Sequence, residues 1–325
     1  MSPPQTRLRV RVARKRMEAQ DICSLELVGS EAPLPAFTAG AHLDVLLPNG
    51  QVRQYSLCND PAEGGRYLIA VLREVRSRGG SLAVHDGVDE GAVLEVSEPR
   101  NHFALNEQAP RHLLLAGGIG VTPILAMAER LTTLGADFEL HYCTRARERT
   151  AFAQRIAQSR FASRAHHHYD NAPAATAQGP LDLPALLRDA PAGTELYVCG
   201  PQGFMEAVLS AARAQGWPEE SLHYEFFGAA QTNHSADGPF ELELARSGRV
   251  VPVAAGQTAL NALLEAGIDV PMSCEQGVCG TCLTRVLAGV PDHRDHYLTP
   301  EEQAVGDQFL PCCSRSKSPR LVLDL

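Results

Sequence analysis

The sequence predicts three domains in succession: an antiparallel β-barrel over 1–104, an α/β domain on a parallel sheet over 105–228, and a small α+β domain over 239–325. Three observations predict this. Short runs of alternating apolar and polar residues dominate the first stretch, and helix signals there are few. Apolar runs then alternate with helical patterns, as a parallel sheet requires. Finally, four cysteines with metal-ligand spacing lie near the C-terminal end. The polar segment 229–238 between the last two regions reads as a linker. A length of 325 residues suits two or three domains at roughly 100–200 residues each.

Composition excludes several function classes. The hydrophobic fraction of 44% is ordinary for a globular chain. The net charge of −9 argues against a nucleic-acid binder, which needs a basic face. Met1 to Arg7 has no apolar stretch before a cleavage site, so no signal peptide is expected. The longest apolar segment, Leu113 to Leu131, is broken by Gly117, Gly118, Gly120 and Pro123. It reads as strand, turn and helix and not as a membrane span. A cytoplasmic protein is expected. Nine cysteines, an odd count without a secretory signal, argue against a disulfide framework.

In the first region, Leu43–Leu47, Tyr67–Leu72 and Val93–Val96 are expected strands, and Pro48-Asn49-Gly50 is a hairpin turn signal. Two stretches could carry chemistry. Arg53-Gln54-Tyr55-Ser56-Leu57 places a guanidinium, a phenol and a hydroxyl at one strand end, with Arg53 and Tyr55 facing one way and Ser56 the other. Arg78-Gly79-Gly80-Ser81 opens a short helix and offers N–H groups, a hydroxyl and a charge to a phosphate. Ordinary turn chemistry would explain either stretch alone.

In the middle region, Leu113-Leu114-Leu115-Ala116 runs into Gly117-Gly118-Ile119-Gly120-Val121-Thr122-Pro123. Thr122 suits an N-cap and Pro123 the first helical position. Ile124, Leu125, Ala128 and Leu131 keep helical spacing. A strand, a glycine turn and a helix start make a pyrophosphate site, although such turns also arise for steric reasons. Phe138–Thr144 reads as a second strand. Glu195–Cys199 reads as a third, followed by Gly200-Pro201 and a helix over 202–215. In a parallel sheet both turns fall at the strands' carboxyl ends, where ligands bind.

The last region holds Cys274-x4-Cys279-x2-Cys282 and, further on, Cys312-Cys313. This is plant-type [2Fe–2S] spacing. Three thiolates on one loop wrap two irons only if the backbone folds back, for which Gly277 and Gly280 supply the conformational freedom. Structural zinc, which takes two separated ligand pairs, fits the spacing poorly. Spacing alone leaves Cys312 and Cys313 competing for the fourth place. Neighbouring side chains on a strand face opposite ways, so only one of the two is expected to reach the cluster. Phe240–Leu244, Val250–Val253 and Leu321–Leu323 are expected strands, and Thr258 caps a helix that ends before Gly267.

Together these pieces resemble the ferredoxin–NADP reductase superfamily fused to a plant-type ferredoxin, in the order found in the phthalate dioxygenase reductase and vanillate O-demethylase reductase family. The flavin motif R-x-Y-S is matched by Arg53, Tyr55 and Ser56. G-G-x-G-x-T-P is matched by Gly117 to Pro123, C-G-P by Cys199 to Pro201, and E-x-F-G by Glu225, Phe227 and Gly228. The resemblance implies an FMN-binding barrel, a Rossmann-like NAD domain and a β-grasp ferredoxin domain. It implies FMN in preference to FAD, because R-G-G-S matches Arg78 to Ser81. The ferredoxin pattern Cys-x-Ser/Ala makes Cys312 the fourth ligand beside Cys274, Cys279 and Cys282, and leaves Cys313 a packed thiol.

The resemblance also implies NADH as the donor. Thr144, Arg145 and Arg147 end the second strand where a 2′-phosphate would sit, so NADPH stays open. The implied activity is reduction of a bound flavin by hydride transfer, then single-electron transfer through the cluster to a Rieske-type oxygenase. Cys199 and Thr122 would flank the nicotinamide, and Ser56 would face the flavin. The alternatives are a cytochrome P450 acceptor, or a redox sensor without turnover. His166-His167-His168 reads as a strand end or loop and not a metal tract. Asp292-His293-Arg294-Asp295 reads as a partner-touching or polar loop. Arg7, Arg9 and Arg11 read as one solvated strand face.

Overall fold

The computed structural model describes residues 7–74, 79–173, 178–227, 237–272, 277, 280–295 and 297–325. The chain divides into two compact units, Met1–Glu225 and Phe226–Leu325.

The first unit opens with β1 (Arg7–Ala19), β2 (Ile22–Gly29), β3 (His42–Leu46), β4 (Val52–Ser56), β5 (Arg66–Leu72), α1 (Gly80–Gly87) and β6 (Val93–Ser97). The strands form one antiparallel sheet in the order β4-β3-β6-β1-β2-β5. Alternation drives it: Arg7, Arg9 and Arg11 face solvent while Val10 and Val12 are fully buried. The expected hairpin joins β3 to β4, with Gly50 at φ 79° and the Leu47 N–H donating to the Gln51 carbonyl at 2.8 Å. Past β4, Leu57 bridges Ile69 of β5, so the two ends of the sheet order meet. Leu25, Leu27, Leu43, Val45, Leu57, Tyr67 and Ile69 fill the interior. The sequence reading passed over β2, because Ile22-Cys23-Ser24-Leu25 is buried on both faces and does not alternate.

The same unit continues with β7 (Arg111–Gly117), a 3-10 turn (Gly118–Gly120), α2 (Val121–Leu134), β8 (Phe138–Thr144), α3 (Ala153–Ala157), β9 (Ala165–Tyr169), α4 (Leu183–Arg188), β10 (Thr194–Cys199), α5 (Gln202–Ala214) and β11 (Leu222–Glu225). All five strands are parallel, in the order β11-β10-β7-β8-β9. From β7 the chain first builds outward through β8 and β9, then returns to place β10 on the other side. The switch point therefore lies between β7 and β10, the crevice where open parallel sheets bind ligands.

One expectation is corrected here. α2 starts at Val121 behind the 3-10 turn, with Gly120 at the N-cap position, so Thr122 and Pro123 are interior. The Thr122 hydroxyl donates back to the Ile119 carbonyl at 3.1 Å. The tight glycine turn begins the helical winding earlier than a threonine cap would. Apolar contact also joins the two halves of this unit. Ile22, Ala39, Cys58, Ala70 and Phe103 share one core with Ile124, Leu125 and Ala128 of α2.

The second unit holds β12 (Phe240–Leu244), β13 (Arg249–Val253), α6 (Ala259–Glu265), β14 (Thr284–Ala288), β15 (Pro291–Asp292), α7 (Pro300–Val305), β16 (Gln308–Phe309), β17 (Arg315–Ser316) and β18 (Arg320–Leu323). The sheet runs β13-β12-β18-β14-β16, with β12 parallel to β18, and β15 pairs with β17. Thr258 caps α6 by accepting the Asn261 N–H at 3.1 Å, and Gly267 follows at φ 75°. Asp237, placed in the linker by the sequence reading, is bound into this unit by Arg294. Among the described residues no helix is long and apolar enough to cross a membrane.

Candidate redox site

The glycine turn and the Cys199-Gly200-Pro201 turn lie side by side, because β7 and β10 pair with Ala116 opposite Cys199. The backbones touch. A Cβ on Gly120 would lie 2.2 Å from the Cys199 carbonyl oxygen, and one on Gly200 would lie 2.9 Å from the Gly117 Cα. A Cβ on Gly117 would meet Phe204 of α5 at 2.8 Å. Only hydrogen atoms fit at these three positions. Phe204, which backs the cradle, escaped the sequence reading because it lies in a plain amphipathic helix.

Cys199 is fully buried, and that burial pushes its thiol well above the ordinary range, with the Glu225 carboxylate adding to the shift. It stays a neutral packing group. Glu225 ends β11 directly opposite Cys199 in the parallel ladder. Burial raises the Glu225 carboxyl to about 7, against a smaller downward pull from Ser56, whose hydroxyl donates to Oε2 at 3.3 Å. Ser56 itself is 6% exposed at the end of β4. The serine of the first region, the cysteine turn and the last strand of the parallel sheet thus converge on one spot beside the switch point.

The rest of β4 divides by face. Tyr55 packs on the interior of the antiparallel sheet, and burial raises its phenol. Arg53 lies against the start of α1, where a Cβ on Gly80 would be 2.8 Å from its Nε. Gly79 precedes that helix at φ 100°, a left-handed position that favours glycine, and its carbonyl accepts from Asn49 at 3.2 Å. A guanidinium beside a helix start fits a phosphate group. The Ser81 hydroxyl accepts the Glu74 N–H at 3.1 Å. Gln54, on the other face, donates to Asp44 at 3.1 Å beside His42, which burial, with Arg100 adding, lowers to about 4. The His42–Asp44–Arg100 cluster was not anticipated, since Arg100 is 56 residues from Asp44 in the chain.

Some predicted residues point elsewhere. The Leu57 side chain is core, and its N–H is taken by the Ala41 carbonyl. The Thr144 hydroxyl turns into its own loop, toward Ala146 at 3.2 Å and Thr150 at 2.9 Å. Pro123 is buried in α2. Arg145 and Arg147 are exposed beyond β8. Phe227 belongs to the second unit and is 38% exposed. Arg78, Cys274, Cys279 and Gly228 lie outside the described residues.

In the second unit Cys282 and Cys312 are 3% and 5% exposed, and their thiols are hydrogen-bond neighbours. Gly277 and Gly280 adopt φ 71° and 70°. A side chain on Gly277 would collide with the Cys313 Sγ, and one on Gly280 with the Tyr297 ring. Two buried thiols facing a loop of left-handed glycines fit a thiolate-bound cluster. Cys312 and Cys313 lie in a turn and not on a strand, so turn geometry sets their directions instead of strand alternation. The Pro311 carbonyl accepts from Leu260 of α6 at 2.9 Å and anchors that turn.

Asp295, read from sequence as an exposed loop residue, is 6% exposed. It accepts from Ser314 at 3.1 Å and from the Leu298 N–H at 2.9 Å. Arg294 reaches Asp237 through two bonds of 2.9 and 2.7 Å and Asp292 through one of 2.9 Å. Segment 292–295 therefore braces the turn that carries Cys312.

Fold and site together define a modular oxidoreductase in which a flavin-reductase-like unit precedes a [2Fe–2S] domain. A family model described as a 2Fe-2S iron-sulfur cluster binding domain matches residues 242–317. The dimethylamine monooxygenase subunit DmmA-like N-terminal domain matches 96–222. Vanillate O-demethylase oxidoreductase of Pseudomonas putida is 53% identical over 97% of this chain and 98% of its own. The solved structure of phthalate dioxygenase reductase, described as modular for electron transfer from pyridine nucleotides to [2Fe-2S], superposes with TM-score 0.79. It is 42% identical and 98% of each chain is covered. An intact type IV self-sufficient cytochrome P450 monooxygenase matches with TM-score 0.80 and 39% identity, over 98% of this chain and 41% of its own. The chain belongs to the vanillate O-demethylase oxidoreductase and phthalate dioxygenase reductase family, and it is an oxidoreductase.

Proposed function

We propose that this chain is the NADH-dependent reductase component of a Rieske-type oxygenase, with FMN as its flavin and one [2Fe–2S] cluster. The observation that carries the reading is the meeting of Ser56, Cys199 and Glu225 beside the crevice between β7 and β10. A bound flavin supplies the conversion of a two-electron donor into single electrons for the cluster. The protein positions and isolates. Gly117, Gly118 and Gly120 let the pyrophosphate approach the backbone, with Thr122 and Pro123 behind them stiffening the helix start. Cys199, neutral and buried, walls the reacting face and excludes water, while Gly200 and Pro201 hold its turn.

Glu225, raised to about 7, holds a proton near neutral pH, and Ser56 bonds to it. Arg53, Gly79, Gly80 and Ser81, with Arg78, make the phosphate seat for FMN. Gln54 and Tyr55 border the ring by their place on β4, and Leu57 backs them from the core. Thr144 and Arg145 border the adenosine end, and an exposed Arg145 beside Arg147 leaves room for NADPH as a weaker donor. Glu225 borders the flavin. Cys274, Cys279, Cys282 and Cys312 hold the irons. The domain limits proposed are 1–104, 105–228 and 239–325, joined by 229–238.

The test is direct. The flavin released from purified protein is identified, and anaerobic NADH is added while flavin bleaching and the cluster's paramagnetic signal are followed. FMN, with bleaching before the signal, supports the reading. Bleaching with no cluster signal overturns it. A second reading, a P450 acceptor, is favoured by the match to a self-sufficient P450 monooxygenase. Turnover with a purified Rieske oxygenase and none with a P450 decides between them.

A further inference from the structure

We propose that Glu139, His141 and His166 form a second metal site, for a divalent zinc ion, on the β8–β9 edge of the parallel sheet. The ladder pairs His141 with His166, and Glu139 lies two residues before His141, so all three share one face. One ligand atom from each lies within 4.8 Å of the others. Neither strand alone carries this arrangement. The H-H-H tract becomes a candidate only when β9 docks beside β8.

Hydrogen bonds fix which ring nitrogens are free. The Gly179 carbonyl can only accept, and it lies 3.1 Å from the His168 Nδ1, so that nitrogen bears the proton. The His168 Nε2 is then an acceptor, and it takes the proton of the His141 Nδ1 at 3.0 Å. The His141 Nε2 is then the ring nitrogen that faces the Glu139 Oε2, 3.5 Å away. That separation is close to the span between two ligand atoms of one metal ion.

The spacing suits zinc. Bonds of about 2.0–2.1 Å place two ligands of a tetrahedral ion roughly 3.3 Å apart. The other carboxylate oxygen, Oε1, is held by Arg111 at 2.8 Å, which aims Oε2 at the site. The His166 ring lies 4.9 Å from the His141 ring, centroid to centroid, and is exposed, so the ion has a path from solvent and keeps a position for water. A ligating histidine whose second nitrogen donates to a fixed acceptor is the usual supporting arrangement.

The test uses the full-length, flavin- and cluster-loaded protein, stripped of loose metal by chelator and titrated with zinc chloride in a calorimeter. One zinc per chain is expected, bound at least about tenfold more tightly than in His166→Ala or Glu139→Gln. His168→Ala, which removes only the orienting partner, should keep the stoichiometry and weaken binding about 10–100-fold. The cluster and flavin spectra should not change in any variant. Equal zinc binding by wild type and His166→Ala would overturn the site, and an unchanged affinity in His168→Ala would overturn the proton relay that shapes it.

Discussion

Replacing Gly120 by alanine tests the cradle most sharply. At φ −61° and ψ −7° the position suits any residue, so backbone strain plays no part. The added Cβ would stand 2.2 Å from the Cys199 carbonyl oxygen, 2.4 Å from its carbon and 2.6 Å from the Gly200 nitrogen. None of these is a flexible side-chain end. Relief to an ordinary contact of about 3.5 Å demands a shift of about 1 Å between the two turns. A misplacement of that size costs about 100-fold in rate, or about 2.7 kcal/mol. The assay is anaerobic stopped-flow bleaching of the flavin by NADH, with flavin content checked first. The cluster's paramagnetic spectrum should be unchanged, since the substitution is in the other compact unit. Gly118→Ala is the comparison: its Cβ meets nothing within 4 Å, but φ is 52°. It should cost about 1–2 kcal/mol of stability and weaken NADH binding, with a much smaller effect on bleaching at saturating NADH. If Gly120→Ala reduces flavin within about threefold of wild type, the close approach of the two turns does not govern the chemistry.

Other substitutions separate the remaining roles. Glu225 has its folded pKa raised from 4.5 to about 7, so the folded state keeps a proton that the unfolded chain loses. Stability of the first unit should therefore be full below pH ~4.5 and fall by about 3 kcal/mol as pH rises through 7. Glu225→Gln should flatten that slope in thermal melts, and a slope left intact would assign it to another group. Cys199→Ala should slow flavin reduction about tenfold while the cluster spectrum persists, and equal rates in stopped flow would count against the contact. Cys312→Ser should abolish the cluster's paramagnetic signal, whereas Cys313→Ser should keep about two irons per chain. The reverse pattern would exchange their assignments.

Much of this protein is legible locally. The Gly117–Gly120 turn and the Thr258 cap are each short, and each depends on neighbours within a few residues. Strands such as Phe138–Thr144 and Phe240–Leu244 show their burial in their own alternation or apolar run. The boundary of α2 was less legible, because a 3-10 turn and a capped helix share the same residue types. Asp295 looked like solvent-facing polarity, since nothing near it in sequence announces Ser314 or the Leu298 N–H as partners.

Sequence alone singled out the candidate residues for redox chemistry and placed the 2Fe-2S domain last. Tertiary structure alone decided which of them meet. Ser56 reaches Glu225 across 169 residues, and Glu225 faces Cys199 only through the parallel register of β10 and β11. Likewise Glu139, His141 and His166 share a face only because β8 pairs with β9 in one register. The physical reason is that a strand's own pattern tells which face is buried, whereas its partner and offset come from packing the whole sheet.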